Sequence, residues 1–175
     1  MAIKELVAGG GCFWCTEAVF ELLRGVQDVE SGYANGEMPN PTYRDVCTGD
    51  TGYAEVVKIT YDNSVITVDT LLDVFFATHN PTTLNYQGAD HGTQYRSTIL
   101  YSDEETKEAA EAAMDAAQAD WNDPIVTRIE PLKNYYKAEA YHQDYYQQNP
   151  MQGYCMAVIP PKLQKLKAKF GKEVK

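Results

Sequence analysis

No apolar stretch of the sequence approaches the roughly 18 consecutive residues that a helix needs to cross a bilayer. The first residues, Met-Ala-Ile-Lys-Glu, are not a basic segment followed by a long apolar one, as a secretion signal would be. These two absences predict a cytoplasmic protein with no membrane partner. Its 175 residues suit one domain with one core, and we expect a monomer.

Positive charge is also scarce, since 15 Lys and Arg face 25 Asp and Glu and the net charge is −10. This balance argues against nucleic acid as a partner. The charge is uneven, because residues 160–175 hold six Lys and one Glu. We therefore expect a single domain over residues 1–159 and a Lys-rich C-terminal tail over 160–175, which would be a solvated helix or a frayed end.

Cysteine and histidine are few, with four and three residues respectively. In a reducing compartment the cysteines are expected to be catalytic, metal-binding or inert rather than paired in structural disulfides. The histidines, at positions 79, 91 and 142, do not have metal-ligand spacing, and no second cysteine pair completes a zinc site. We predict no metal.

Hydrophobic periodicity predicts strands at residues 3–8, 26–33, 54–61, 96–101 and 125–130, with a short edge strand at 154–159. Helices are predicted at 16–24, at 68–77 after a Thr67 cap, and from 102 to about 120. The mixture predicts an α/β (α+β) fold. We expect a ferredoxin-like two-layer sandwich, with a central mixed, mostly antiparallel sheet and flanking helices.

The segment Gly9-Gly-Gly-Cys-Phe-Trp-Cys-Thr-Glu17 lies between the first strand and the first helix. Three glycines allow a tight turn and close approach of other groups. Cys12 then lies near a helix N-terminus, where the helix dipole favours a thiolate and lowers the pKa of a cysteine by roughly a unit or more. Cys12 is therefore a candidate nucleophile.

The C-x-x-C of Cys12 and Cys15 has three interpretations: a redox dithiol, half of a zinc site, or a buried pair without chemistry. Glu55, at the start of a strand, is either exposed or held as a protonated acid in an apolar pocket. Cys155 is either an inert edge residue or a thiol that moves to meet Cys12. Cys47, in a turn-rich loop, is expected to be a packing or solvent-side thiol.

Seven motifs occur in order along the chain: GCFW at 11–14, GYANG at 32–36, P-x-Y-x-x-V at 41–46, TGYAE at 51–55, GADHGTQYRS at 88–97, YHQDY at 141–145 and GYC at 153–155. Together they closely resemble the A-type peptide-methionine (S)-S-oxide reductases, the methionine sulfoxide reductase A (MsrA) family, over nearly the whole chain. The resemblance implies repair of the S epimer of methionine sulfoxide, free or in proteins.

The resemblance implies that Cys12 attacks the sulfoxide sulfur and becomes a sulfenic acid, while Glu55 donates a proton to the oxygen. A second thiol then forms an intramolecular disulfide with Cys12, and thioredoxin reduces it. No cofactor is implied. The residues expected to bind substrate are Phe13 and Trp14 around the methyl group, Tyr43 and Tyr95 on the oxygen, and the pocket acid Asp90.

Two positions depart from the family pattern. Cys15 stands where glycine is common, and Tyr53 replaces the usual histidine, leaving Glu55 in place. Two thiols can therefore resolve the sulfenic acid. We favour Cys155, which matches the family's C-terminal Gly-Tyr-Cys, with Cys15 as a direct resolver or a relay. The alternative function is a general thiol–disulfide oxidoreductase that uses Cys12 and Cys15.

Overall fold

Eight strands and six α-helices are found in residues 2–175, the part of the chain that the computed structural model describes. The strands are β1 (Ile3–Gly9), β2 (Val26–Ala34), β3 (Ala54–Asp62), β4 (Tyr86–Gln87), β5 (Asp90–His91), β6 (Thr98–Tyr101), β7 (Arg128–Pro131) and β8 (Tyr135–Lys137). The helices are α1 (Phe13–Phe20), α2 (Tyr43–Cys47), α3 (Val68–Ala77), α4 (Glu104–Ala117), α5 (Tyr145–Gln148) and α6 (Gly153–Phe170).

Six strands form one sheet in the order β7-β6-β1-β3-β2-β8, and β4 and β5 form a separate hairpin. Every pairing in the large sheet is antiparallel except that of β6 with β7. In the central part, β6-β1-β3-β2, helix α1 connects β1 to β2 and α3 lies between β3 and β6, which is the ferredoxin-like arrangement. The predicted two-layer α/β sandwich is confirmed.

The main core lies between the sheet and the helices. Thr67 caps α3 by accepting a hydrogen bond from the Thr70 amide at 3.2 Å, as the sequence predicts. On β3, the alternation of a strand directs Val57 and Ile59 into this core, and Val56 into a smaller cluster on the other face of the sheet. Glu55 shares the face of Val57, so its side chain is directed to the helical side.

The C-terminal segment differs from the prediction. Residues 154–159 were expected to form an edge strand, and this is wrong, because they are the first turns of α6. The Gln152 side chain accepts a hydrogen bond from the Cys155 amide at 2.9 Å and caps the helix. Cys155 and Ile159, one turn apart, are both buried against Cys15 of α1.

Residue 159, the expected end of the domain, lies inside α6, which continues through the lysine-rich segment. Leu166 is fully buried in the main core, and Val174 forms a β-bridge with Leu23. The division into a domain and a tail therefore stays a prediction. Within residues 2–175, none of the helices has both the length and the apolar character needed to span a membrane.

Candidate active site

The glycine turn after β1 brings Cys12 against the strand that carries Glu55. Gly11 has a φ of +101°, which favours glycine, and a Cβ at Gly9 would lie 2.3 Å from the Glu55 carbonyl oxygen. Cys12 is the N-cap of α1, and its carbonyl oxygen accepts hydrogen bonds from the amides of Cys15 and Thr16 at 3.1 and 3.4 Å. The predicted strand–turn–helix around Cys12 is confirmed, although α1 begins three residues earlier than expected.

Glu55 is buried, with 1% of its surface exposed. Its Oε1 accepts a hydrogen bond from the Phe13 amide at 3.1 Å, and its Oε2 has no hydrogen-bond partner within residues 2–175. Burial raises the pKa of Glu55 to about 8. At neutral pH this side chain is therefore a carboxylic acid with a proton to give, and the alternative of an exposed carboxylate is wrong.

Aromatic rings form a wall beside Cys12. Phe13 is buried and packs against Tyr33, Tyr43 and His142, with ring centroids 5.7, 6.4 and 5.1 Å apart. Trp14 stacks on Tyr145 at 3.8 Å. Its Nε1 donates a hydrogen bond to Nδ1 of His142 at 3.0 Å. Such a surface can bind a small apolar group through contact area and the polarizability of the rings.

Tyr43 and Tyr95 are both half-buried near Glu55. Burial raises the pKa of each phenol, and the charge of the nearby Glu55 carboxylate raises it further. Both therefore remain protonated at neutral pH and can donate hydrogen bonds to an oxygen atom. The backbone amide of Tyr43 donates to Glu139 at 2.9 Å, which fixes the start of α2 at the site.

Asp90 lies on the β4–β5 hairpin and accepts a hydrogen bond from the Tyr154 hydroxyl of α6. These two residues, with Cys12 and Cys15, line a cavity of about 230 Å³ between the hairpin and α6. The fold therefore places Asp90 near Cys12 and Cys15, on the side of the site that faces α6.

All four cysteines lie within the described residues and are free thiols. Cys15 and Cys155 are buried in one cluster, and Cys12 packs against that cluster. The Cys15 Sγ also lies 3.8 Å from the Tyr154 hydroxyl. Cys47 is exposed on α2, next to Tyr43, so its expected place as a solvent-side thiol is confirmed.

The protonation of the thiols differs from the expectation for a helix N-terminus. Burial raises the pKa of the Cys12 thiol well above its ordinary range, and its hydrogen bond to Cys15 and the nearby Glu55 charge add to this rise. The pKa of Cys15 is lowered, first by that hydrogen bond from Cys12 and then, against the effect of burial, by Lys162. Desolvation thus outweighs the helix dipole at Cys12, and Cys15 is the more acidic thiol.

Sequence reasoning gave no role to several residues that hold the site in place. His142 is buried and orients Trp14, and Glu139 accepts hydrogen bonds from the Tyr33 hydroxyl at 2.8 Å and from the Tyr43 amide. The YHQDY motif contains His142 but does not indicate its partner.

Tyr53, which replaces the usual histidine of the family, is buried and donates a hydrogen bond to the Met38 carbonyl. Glu55, two residues later, accepts the hydrogen bond from the Phe13 amide with Tyr53 in this position.

Known proteins are similar to this chain in sequence and in fold. A family model described as peptide methionine sulfoxide reductase matches residues 4–174. The peptide methionine sulfoxide reductase MsrA of Acinetobacter baumannii is 56% identical over 168 residues, which are 96% of this chain and 96% of the relative. The fold is similar to that of Mxr1 from Saccharomyces cerevisiae in reduced form, with a TM-score of 0.83, 41% identity, and coverage of 87% of this chain and 89% of that one.

A second yeast structure is Mxr1 in complex with Trx2, with a TM-score of 0.59 and 30% identity over 82% of this chain and 84% of that chain. Sequence, fold and the buried acid beside Cys12 agree with one another. This chain belongs to the peptide methionine sulfoxide reductase family and is an oxidoreductase that converts methionine sulfoxide to methionine.

Proposed function

We propose that this reductase acts on the S epimer of methionine sulfoxide, free or in proteins, with Cys12 as the nucleophile and Glu55 as the acid. The observation that carries the proposal is the burial of Glu55, which raises its pKa to about 8 and leaves its Oε2 without a partner within residues 2–175. A buried carboxyl oxygen without a hydrogen-bond partner costs free energy and does not stabilise the fold. It is suited to meet an oxygen atom that the substrate supplies.

The first step transfers the sulfoxide oxygen to Cys12. The Cys12 sulfur attacks the substrate sulfur and an S–S bond forms, while Glu55 protonates the oxygen and takes up the proton of the Cys12 thiol. The hydroxyl then passes to the Cys12 sulfur as the S–S bond and the S–O bond of the substrate break. The products are methionine and Cys12 sulfenic acid, so Glu55 ends as it began. This coupling suits a site in which burial raises the pKa of both groups, because neither needs to carry a charge before the substrate arrives.

The site contacts the substrate at two places, the methyl group and the oxygen on the sulfoxide sulfur. Phe13 and Trp14 contact the methyl group, since their rings form the apolar wall next to Cys12. Tyr43 and Tyr95 donate hydrogen bonds to the oxygen, because their phenols remain protonated near Glu55. Asp90 lies on the α6 side of the site, where it holds the Tyr154 hydroxyl in place by accepting its hydrogen bond.

The contacts among the thiols support an order of disulfides that differs from the one we favoured from sequence. Cys12 and Cys15 line the same cavity, and Cys155 shares the apolar cluster of Cys15. We infer that Cys15 condenses with the Cys12 sulfenic acid and releases water. Cys155 then attacks Cys15, which frees Cys12 and leaves a Cys15–Cys155 disulfide.

Thioredoxin is the proposed reductant of this disulfide, and the complex of yeast Mxr1 with Trx2 supports it. Recycling by thioredoxin requires a reducing compartment, so we place the protein in the cytoplasm. We further propose that it acts as a monomer in the repair of oxidised proteins. We propose that residues 1–159 hold the catalytic thiols and that the tail at 160–175 completes their surroundings.

The test counts methionine per enzyme in the absence of reductant. Fully reduced protein is mixed with excess S or R sulfoxide, and the disulfides are mapped by mass spectrometry. The relay predicts about two methionines per enzyme from the S epimer, because Cys12 is freed once, and about one from Cys155→Ser. Cys47→Ser is the matched control and should match the wild type.

Three outcomes would contradict parts of this proposal. Release of no methionine from the S epimer would refute the assigned chemistry. A single methionine from the wild type, with a Cys12–Cys155 disulfide, would make Cys155 the direct resolver. Reduction of protein disulfides without sulfoxide turnover would favour the general oxidoreductase instead.

A further inference from the structure

A lysine of the C-terminal segment lies at the thiols. Lys162, in the third turn of α6, is half-buried, and its Nζ donates a hydrogen bond at 3.0 Å to the carbonyl oxygen of Thr78, the C-cap of α3. Lys162 forms no ion pair within residues 2–175. A largely desolvated ammonium without a carboxylate partner is costly, so a compensating negative charge is expected nearby.

The ionisable groups around Lys162 are the thiols of Cys15 and Cys12 and the carboxyl group of Asp90. Lys162 lines the 230 Å³ cavity that also contains Cys12, Cys15 and Asp90. A second, very small cavity is also lined by Lys162 and Cys15, together with His79. Lys162 therefore lies beside Cys15 in two cavities, and its hydrogen bond to the Thr78 carbonyl fixes its position.

The other ionisable groups that face Cys15 do not supply a positive charge. Burial raises the pKa of Glu55 to about 8 and lowers the pKa of His79 to about 3, so both are neutral at pH 7. The charge of Asp90 raises the pKa of Cys15 and so opposes the effect of Lys162. Asp90 also accepts a hydrogen bond from Tyr154, whose phenol remains protonated because burial raises its pKa. The remaining neighbours, Cys12 and Cys155, are thiols whose pKa burial raises.

We propose that Lys162 is a positioning residue of the reductase, which holds Cys15 as a thiolate so that Cys15 condenses first with the Cys12 sulfenic acid. The Cys15 thiolate attacks the sulfenic sulfur, the S–S bond forms as the S–O bond breaks, and the departing oxygen takes up a proton and leaves as water. This role rests on the proposed function, because it requires the sulfenic acid at Cys12.

The test isolates this step in Cys155→Ser, in which Cys15 is the buried thiol that remains for condensation. Reduced enzyme is mixed rapidly with the S sulfoxide. Methionine release and Cys12–Cys15 formation are followed separately, by chemical quench, from pH 6 to 9. The added changes are Lys162→Met, which keeps the chain length without charge, Lys162→Arg, which restores charge, and the exposed Lys165→Met as control.

Lys162→Met should leave methionine release unchanged and shift the pH midpoint of disulfide formation upward by about one unit. Below that midpoint the rate of disulfide formation should fall only about threefold. The tenfold loss of the Cys15 thiolate is partly offset, because a thiolate of higher pKa is intrinsically more nucleophilic. Lys162→Arg should restore both values, and Lys165→Met should change neither.

An unchanged pH midpoint in Lys162→Met would overturn the inference. Equal slowing by Lys162→Arg would also overturn it, since a merely structural role would then explain the effect. Methionine release without a Cys12–Cys15 disulfide in the Cys155→Ser parent would refute Cys15 as first resolver, and Lys162 with it. Absence of methionine from every variant would refute the proposed function itself.

Discussion

Replacement of Glu55 by glutamine should remove activity and make the protein more stable. The carboxyl of Glu55 titrates near its ordinary value of 4.5 when exposed, whereas burial in the folded protein raises its pKa to about 8. At pH 7 folding therefore includes uptake of a proton by Glu55, which costs about 3 kcal/mol. Glutamine has a similar shape, can still accept the hydrogen bond from the Phe13 amide and does not bear this cost.

The sign of the pH dependence follows from proton binding. Between pH 4.5 and 8 the folded state keeps a proton on Glu55 that the unfolded state has lost, so wild-type stability falls as the pH rises through this window. Glu55→Gln should be equal to the wild type in stability near pH 4 and exceed it by about 3 kcal/mol at pH 7. Urea unfolding at several pH values measures the difference, with the exposed Glu37→Gln as a flat control.

The same substitution removes the proton that the sulfoxide oxygen needs. Methionine release should slow by about 10²–10⁴-fold, because an amide can donate a hydrogen bond but cannot give up its proton. The wild-type rate should also fall as the pH rises above about 8, where Glu55 ionises. A variant that keeps more than a tenth of the activity, or that is less stable than the wild type at pH 7, would refute this reasoning.

Two further substitutions test the aromatic wall and the C-terminal helix. Trp14→Phe keeps an apolar ring but loses the hydrogen bond to His142, so KM should rise severalfold with kcat little changed; a fall in kcat alone would contradict a binding role. Leu166→Ala should lower the free energy of unfolding by about 2–5 kcal/mol, whereas the exposed Lys167→Ala should change it by less than about 0.5 kcal/mol. Equal small effects would mean that residues 160–175 contribute little to the core.

Local signals in the sequence were sufficient for much of the framework. The Thr67 cap, the alternation along β3 and the glycine turn before Cys12 each depend on neighbouring residues, and each is found as predicted. The segment 154–159 shows the limit of such signals. A short apolar run suits a strand or a helix, and contact of Cys155 and Ile159 with α1 selects the helix.

The sequence by itself determined the framework from β1 to β3 with α1, then α3, β6, α4 and β7, and the identity of the candidate nucleophile and acid, because turns, caps and the seven motifs are local patterns. Tertiary structure decided how those groups ionise. Burial of Cys12 and Glu55 beneath distant residues raises the pKa of both, and Lys162 reaches Cys15 from the far end of the chain. Desolvation depends on everything that surrounds a group in space, and spacing along the chain contains no measure of it.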